Sequence, residues 1–263
     1  MELQQRTDSW FRERAGKITA SVAGTILGVN KYQTPLDLWR QCTGRDPPFG
    51  GNYCTQWGTR NELNGLLEYQ LVTGLDTMQT GFHVHRDYYW LGASPDGLVG
   101  ENGLVEIKCP MSKQPWTLKT IPPQYYVQIQ VQMEVTNRDW CHLFAWRPTH
   151  QQIFAFQRNR QFFELIAPLL ANFLKSMNSE EPPDELDENI KEHVLKCMQE
   201  DLMPWPKITP AFGFSEFPVS TDGADPQPSQ RKRQRRNSLE EHRSPERLRN
   251  REQQDAKHRD AAA

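Results

Sequence analysis

The chain has 263 residues, with 31 Lys and Arg against 33 Asp and Glu and a formal net charge of −2. That length suits one large domain with appendages, and the near-neutral balance excludes a uniformly basic polyanion binder, so any nucleic-acid contact must rest on local cations. Five scattered cysteines without CxxC spacing exclude a disulfide framework or zinc ribbon, and the lack of an apolar leader or a run of ~18 apolar residues makes a soluble, intracellular protein without a membrane partner the expectation.

Residues 6–15 are expected to form a short helix anchored by Trp10 and Phe11. Thr19-Ala20-Ser21 offers N-cap hydroxyls to a second helix with Val22, Ile26 and Leu27 on one face, and Gly28 can end it. Thr34-Pro35 opens a third helix that stops at Gly44. A loop rich in Pro and Gly spans 45–54. The spacing then predicts a longer helix over 57–73, with Leu63, Leu66, Leu67 and Leu71 as its apolar stripe and Gly74 as its terminator.

Beyond it the period changes. Residues 77–86, 88–92, 97–100 and 103–109 read as short strands, with Gly100-Glu101-Asn102-Gly103 as a hairpin turn. Pro122-Pro123 starts a helix over 122–135. Two strands follow near 139–147 and 151–157, then an amphipathic helix over 160–177 carrying Phe162, Phe163, Ile166, Leu169, Leu170 and Phe173. This order gives an α/β fold with a mixed sheet flanked by helices and no internal repeat.

The rest is compositionally distinct. Residues 180–201 hold nine acids and two lysines, and 186–202 reads as one more helix. From about 215 the chain is rich in Pro, Ser, Gln and charge, which predicts disorder to the end. Residues 231–263 carry 11 basic and 6 acidic side chains, a net of +5. The boundaries expected are therefore 1–178 for the main domain, 179–214 for an acidic helical extension and 215–263 for a disordered basic tail. Within that tail, Arg231, Lys232, Arg233, Arg235 and Arg236 read as a nuclear localisation signal or a phosphate-binding arm; the plainer alternative is a solvated tail. Ser238 and Ser244 fit kinase sites, whose phosphates would offset the positive charge.

The most chemically suggestive segment is Ser94-Pro95-Asp96-Gly97 followed by Glu106-Ile107-Lys108. Residues two apart on a strand share a face, so Glu106 and Lys108 point the same way, and folding across Gly100 to Gly103 brings Asp96 towards Glu106. Two carboxylates and the Ile107 carbonyl are hard oxygen donors that favour Mg²⁺ or Mn²⁺ over zinc. Lys108 can orient or deprotonate a water and stabilise charge on a phosphate. Glu62, off the leucine stripe, can supply a third carboxylate. Gln128 and Gln130 lie on a mostly apolar helix, where a glutamine needs a partner. The competing readings are ordinary: Asp-Gly as a turn, Glu-x-Lys as a solvated strand face, Glu62 as an exposed helix acid, and the glutamines as satisfied core residues. Tyr88, Tyr89, Trp90 and Trp116, the last beside Lys113 and Lys119, can stack on unpaired bases or pack in the core. His83 and His85 read as ordinary strand residues rather than metal ligands.

Five ordered blocks narrow these alternatives. They are Trp10-x-x-x-Arg14-x-Gly16-x-Ile18-Thr19-Ala20-Ser21, Trp57-Gly58-x-x-x-Glu62, Ser94-Pro95-Asp96-Gly97-Leu98, Glu106-Ile107-Lys108-Cys109-Pro110 and Tyr126-x-Gln128-x-Gln130-x-x-Met133. Together, over roughly residues 8–160, the chain resembles the YqaJ-like viral recombinase and phage lambda exonuclease family of the PD-(D/E)XK nuclease superfamily. The resemblance implies a restriction-endonuclease-like core and a Mg²⁺-dependent exonuclease. Such an enzyme runs 5′ to 3′ on double-stranded DNA ends and leaves a 3′ strand for a single-strand annealing protein. It implies Asp96, Glu106 and Glu62 as metal ligands, Lys108 as the water-activating residue, Gln128 beside the site, and Arg14 and Ser21 at the terminal 5′ phosphate. The phage enzyme is a ring-shaped trimer; that state does not travel with the catalytic motif, so a homo-trimer stays open. So do two alternatives, an endonuclease or single-strand nuclease using the same centre and a catalytically silent DNA-binding scaffold.

Overall fold

The computed structural model describes residues 5–112, 114–179, 181–187 and 189–204. The expected disorder beyond 215, the basic run, both kinase motifs and Lys113 lie outside these residues.

Helix α1 (Asp8–Arg14) is capped by Thr7, whose side chain accepts the Trp10 N–H. Strand β1 (Ile18–Thr19) leads into α2 (Ala20–Ile26), and α3 (Pro35–Cys42) starts from a capping box between Thr34 and Asp37. Helix α4 (Tyr53–Thr73) starts four residues before the expected position, because Asn52 and Thr55 form a second capping box ahead of Trp57. Its inward face is a further departure. Gly65, Leu66, Glu68 and Tyr69 are buried, whereas Leu63, Leu67 and Leu71 are 57%, 54% and 57% exposed. Gly65 decides the rotation. A Cβ there would stand 2.6 Å from Ile107 Cγ2, so only the glycine side of the helix can approach the sheet so closely.

The region expected as strands over 77–92 breaks into β2 (Thr77–Met78), β3 (His83–Val84) and β4 (Leu91–Ala93). His85 Nδ1 accepts the N–H groups of Asp87 and Tyr88 and folds that stretch into a turn instead of a strand. Strands β5 (Gly97–Val99) and β6 (Gly103–Lys108) form the expected hairpin. Helix α5 (Pro123–Thr136) then crosses to β7 (Trp140–Arg147), which pairs parallel to β6, as a parallel pair requires. Strand β8 (His150–Gln157), α6 (Arg160–Ser179), α7 (Asn189–Glu200) and β9 (Leu202–Met203) complete the described chain.

The six-stranded sheet runs β2-β5-β6-β7-β8-β9 and is antiparallel except at β6–β7; a three-stranded sheet runs β1-β4-β3. Strand β6 lies inside the larger sheet and is covered on both faces. Val105 and Ile107 pack with Leu66, Tyr69, Phe144 and Trp146 beneath α4. Leu104 joins the larger core that contains α5, α2 and α6 residues. Strand alternation therefore turns Leu104, Glu106 and Lys108 towards α5. The α7 residues Val194, Cys197 and Met198 belong to that same core, and β9 hydrogen-bonds to β8.

Candidate active site

Glu106 is a charged residue in the middle of a buried strand, only 3% exposed. Such a carboxylate persists only if its oxygens are satisfied. Three donors do this. Lys108 Nζ lies 2.6 Å from Oε1, Gln128 Nε2 donates to the same oxygen at 2.6 Å, and Gln132 Nε2 donates to Oε2 at 2.7 Å. Gln128 Oε1 in turn accepts from Lys108 Nζ at 3.2 Å. Gln128 and Gln132 are one helical turn apart on α5, so both reach the same strand residue. Gln130 points elsewhere. It donates to the Gln157 carbonyl and accepts from the Asn159 N–H, so it is a satisfied core residue.

Asp96 ends the segment leading into β5. Its Oδ2 accepts the Ile107 N–H at 2.7 Å, which locks it beside β6 at the level of Glu106 and Lys108. Burial, then the charges of Glu106 and Glu62, push its carboxyl well above the usual range. Glu106 and Glu62 thus both act on Asp96, with Glu62 arriving from α4 and the Ile107 carbonyl lying between Glu106 and Lys108 in the chain. Cys109 feels the same field: burial first, then Asp96 and Glu62, push its thiol up to about 12. Lys108 responds in the opposite sense. Burial alone would lower its pKa, but Glu106, Tyr125 and Asp96 together raise it, so the ammonium stays charged. Its Nζ also lies 4.7 Å from the centre of the Tyr125 ring, a cation–π contact.

Among the described residues no three His, Cys, Asp or Glu side chains form a ready-made metal cluster. Glu106 is held by Lys108 and two glutamines, and Glu62 Oε2 is paired with Arg6 Nη2 at 2.5 Å. The donor chemistry nevertheless fits a divalent cation. Burial, then repulsion from Glu106 and Glu62, disfavours the charged form of Asp96, and a hard cation placed among these hard oxygen donors would offset that cost.

The first block is placed as follows. Trp10 Nε1 donates to Ser94 Oγ at 2.9 Å, which ties α1 to the segment before Asp96. Arg14 stacks on the Trp10 ring at 4.0 Å, and burial lowers its pKa. Ser21 is exposed on the first turn of α2, and its Oγ lies 3.0 Å from Thr19 Oγ1. Among the described residues no hydrogen bond joins Arg14 to Ser21. Trp116 stacks on Tyr125 with ring centres 5.6 Å apart, and its backbone is held at both ends by the Gln152 amide. Tyr88 and Trp90 pack against each other, whereas Tyr89 is 76% exposed.

Residues 9–139, which contain Glu62, Asp96, Glu106, Gln128 and Gln132, match the model of the YqaJ-like viral recombinase domain. This part of the chain belongs to that family. Among its relatives, the uncharacterised protein R354 of Acanthamoeba polyphaga mimivirus is 24% identical over 156 residues, covering 53% of this chain and 28% of that protein. The uncharacterised protein YqaJ of Bacillus subtilis strain 168 is 29% identical over 138 residues, covering 51% of this chain and 43% of that protein. The chain thus matches less than half the length of either relative. Among solved structures, the alkaline exonuclease LHK-Exo of Laribacter hongkongensis is 28% identical with a TM-score of 0.56, covering 72% of this chain and 99% of that one. LHK-Exo has also been solved in complex with dAMP, with the same scores. A phage-related exonuclease of Haemophilus somnus is 14% identical with a TM-score of 0.52 over 62% of this chain and 94% of that one, a likeness of fold alone. The fold of this YqaJ-like chain is accordingly that of a nuclease, a mixed sheet flanked by helices.

Two residues of the centre escape sequence reasoning. Gln132 carries a usable signal, its spacing of four from Gln128 on one helix. Arg6 carries none, because its contact with Glu62 depends on how the N-terminal segment crosses the domain.

Proposed function

We propose that this chain is a divalent-cation-dependent DNA exonuclease that starts at a double-stranded end and runs 5′ to 3′. The observation that carries the reading is the convergence of Asp96, Glu106, Lys108 and Gln128 on one buried spot at the end of β6. The likeness to alkaline exonucleases supports the substrate class.

In this reading Asp96, Glu106, Glu62 and the Ile107 carbonyl hold Mg²⁺ or Mn²⁺, which supplies Lewis-acid polarisation and a more acidic water. Lys108 remains an ammonium, so it orients the attacking water and stabilises charge on the phosphate oxygens rather than acting as the resting-state base. Gln128 fixes both the lysine and Glu106, so the pair meets substrate in one geometry. The water oxygen bonds to phosphorus as the P–O3′ bond breaks; the water gives up its proton and the leaving 3′ oxygen gains one. Arg14 and Ser21 are proposed to receive the terminal 5′ phosphate. A single-strand annealing protein for the exposed 3′ strand, a ring-shaped trimer, and a nuclear or phosphate-binding role for residues 231–236 belong to the same reading.

The test is incubation with Mg²⁺ on linear duplexes bearing 5′ phosphate or 5′ hydroxyl ends and on closed circles. Degradation of linear DNA from the 5′ phosphate end is expected. Cleavage of circles would sink the exonuclease reading, and inertness with both Mg²⁺ and Mn²⁺ would leave a DNA-binding scaffold. Sedimentation of the purified protein reports whether it is a trimer.

A further inference from the structure

We propose that Arg6 is a DNA-backbone contact at the mouth of the acidic centre, held ready by its ion pair with Glu62; this rests on the nuclease reading above. The placement of Arg6 is built rather than incidental. Gln5 Nε2 donates to the Thr80 carbonyl at 3.2 Å and to the Pro95 carbonyl at 3.0 Å. These bonds strap the N-terminal segment onto the residue that precedes Asp96. Arg6 then takes a left-handed backbone conformation, with φ of 66°, which costs a non-glycine residue conformational energy. The turn aims its guanidinium at Glu62, and the pair closes at 2.5 Å.

That pair is exchangeable. The side chains of Arg6 and Glu62 are 48% and 33% exposed, and ion pairs in water contribute little to stability. Structural need alone therefore does not explain a strained arginine at this spot. A guanidinium has five donors in a planar fork, so engagement of one nitrogen leaves donors for phosphate oxygens. The other cation of the centre, Lys108, is enclosed by Glu106 and Gln128, and Arg14 is stacked on Trp10. Arg6 is the more solvent-accessible of these cations and lies beside the carboxylates, where a phosphodiester must pass.

The experiment measures binding of a short linear duplex, labelled at a 3′ end, by fluorescence anisotropy in EDTA, so that no hydrolysis contributes. Affinity is followed against salt for wild type, Arg6→Gln, Arg6→Lys and Glu62→Gln. Arg6→Gln is expected to weaken binding by roughly tenfold and to reduce the salt slope by about one, the signature of one lost phosphate contact. Arg6→Lys should keep the slope and part of the affinity, since it retains the charge without the fork. Glu62→Gln separates a contact from a tether. If Arg6 merely pins the segment, Glu62→Gln should weaken binding as much as Arg6→Gln; if Arg6 holds phosphate, Glu62→Gln should bind as well as wild type or better. An unchanged slope in Arg6→Gln, or equal losses in the two variants, overturns the assignment. Wild type that degrades linear DNA while Arg6→Gln binds normally refutes this inference alone; wild type that neither binds nor degrades DNA refutes the nuclease reading with it.

Discussion

Lys108 meets a carboxylate, an amide oxygen and an aromatic face at once, and each contact favours its charged form. Replacing it by Gln keeps a hydrogen-bonding head on a side chain one atom shorter but removes the charge. The expected result is a fall of about 10²–10⁴ in the rate of DNA hydrolysis, with Mn²⁺ binding retained in calorimetric titration. Gln132 makes a sharper residue-scale test, because it touches no proposed substrate position. Gln132→Leu strips Glu106 Oε2 of its donor in a site where water has little access, so a stability loss of about 1–3 kcal/mol is expected in urea unfolding. Activity should fall with it, and Gln132→Glu should be worse, since it sets a second carboxylate against Glu106. The juxtaposition of Asp96, Glu106 and Lys108 was legible from spacing because a strand repeats every two residues and a Gly-flanked turn fixes the hairpin. Gln132 was not singled out, because Gln128 and Gln130 stand out at a spacing of two, whereas a helix repeats near 3.6 residues and the residue sharing Gln128's face stands four positions on.

Helices were legible where a cap or a proline punctuates the chain, as at Thr34 and Pro123, and strands where alternation is clean, as in β6. What the pattern could not give was the face that α4 turns inward. Its leucines outnumber its small residues, yet Gly65 faces the sheet, because backbone proximity to Ile107 outweighs the leucine count. The same logic operates between α2 and α5. A Cβ on Gly24 would lie 2.5 Å from Gln124 Cβ and 2.6 Å from Gln124 Cα, so the obstacle includes backbone that cannot swing aside. Alanine at a helix interior is ordinarily worth up to about 1 kcal/mol over glycine, whereas overpacking costs about 1–3 kcal/mol. Gly24→Ala is therefore expected to destabilise the protein in urea unfolding. It should also lower DNA hydrolysis beyond the stability loss, because the displaced helix carries Gln128 and Gln132. A stabilised, fully active Gly24→Ala would mean that the two helices can separate freely.

At the scale of the whole molecule, composition marks residues 179–214 as acidic but does not reveal how 189–204 attach. The attachment runs through Val194, Cys197 and Met198 in the main core and through Asp201, which is 4% exposed and accepts from the Tyr126 hydroxyl and the Asn159 amide. Charge counts see only the exposed acids of such a segment, not the few apolar side chains that bind it. A second long-range tie joins α4 to β7 on the sheet face that α4 covers. The Tyr69 hydroxyl and His142 Nδ1 lie 2.7 Å apart, and burial lowers the histidine pKa to about 4 from an ordinary 6.5. Between those values the unfolded chain binds the proton and the native one does not, so stability must rise with pH across that window. This contribution is complete above about pH 6.5, is lost progressively as pH falls towards 4, and amounts to about 3 kcal/mol in total. Asp96 works against it: its raised pKa favours the native state at low pH and withdraws that support as pH rises. The two are separated by difference. Subtracting the urea-unfolding profile of His142→Gln from that of wild type cancels Asp96 and should leave a slope confined to pH 4–6.5; a flat difference would mean that His142 takes up its proton in the folded protein as readily as in the unfolded chain.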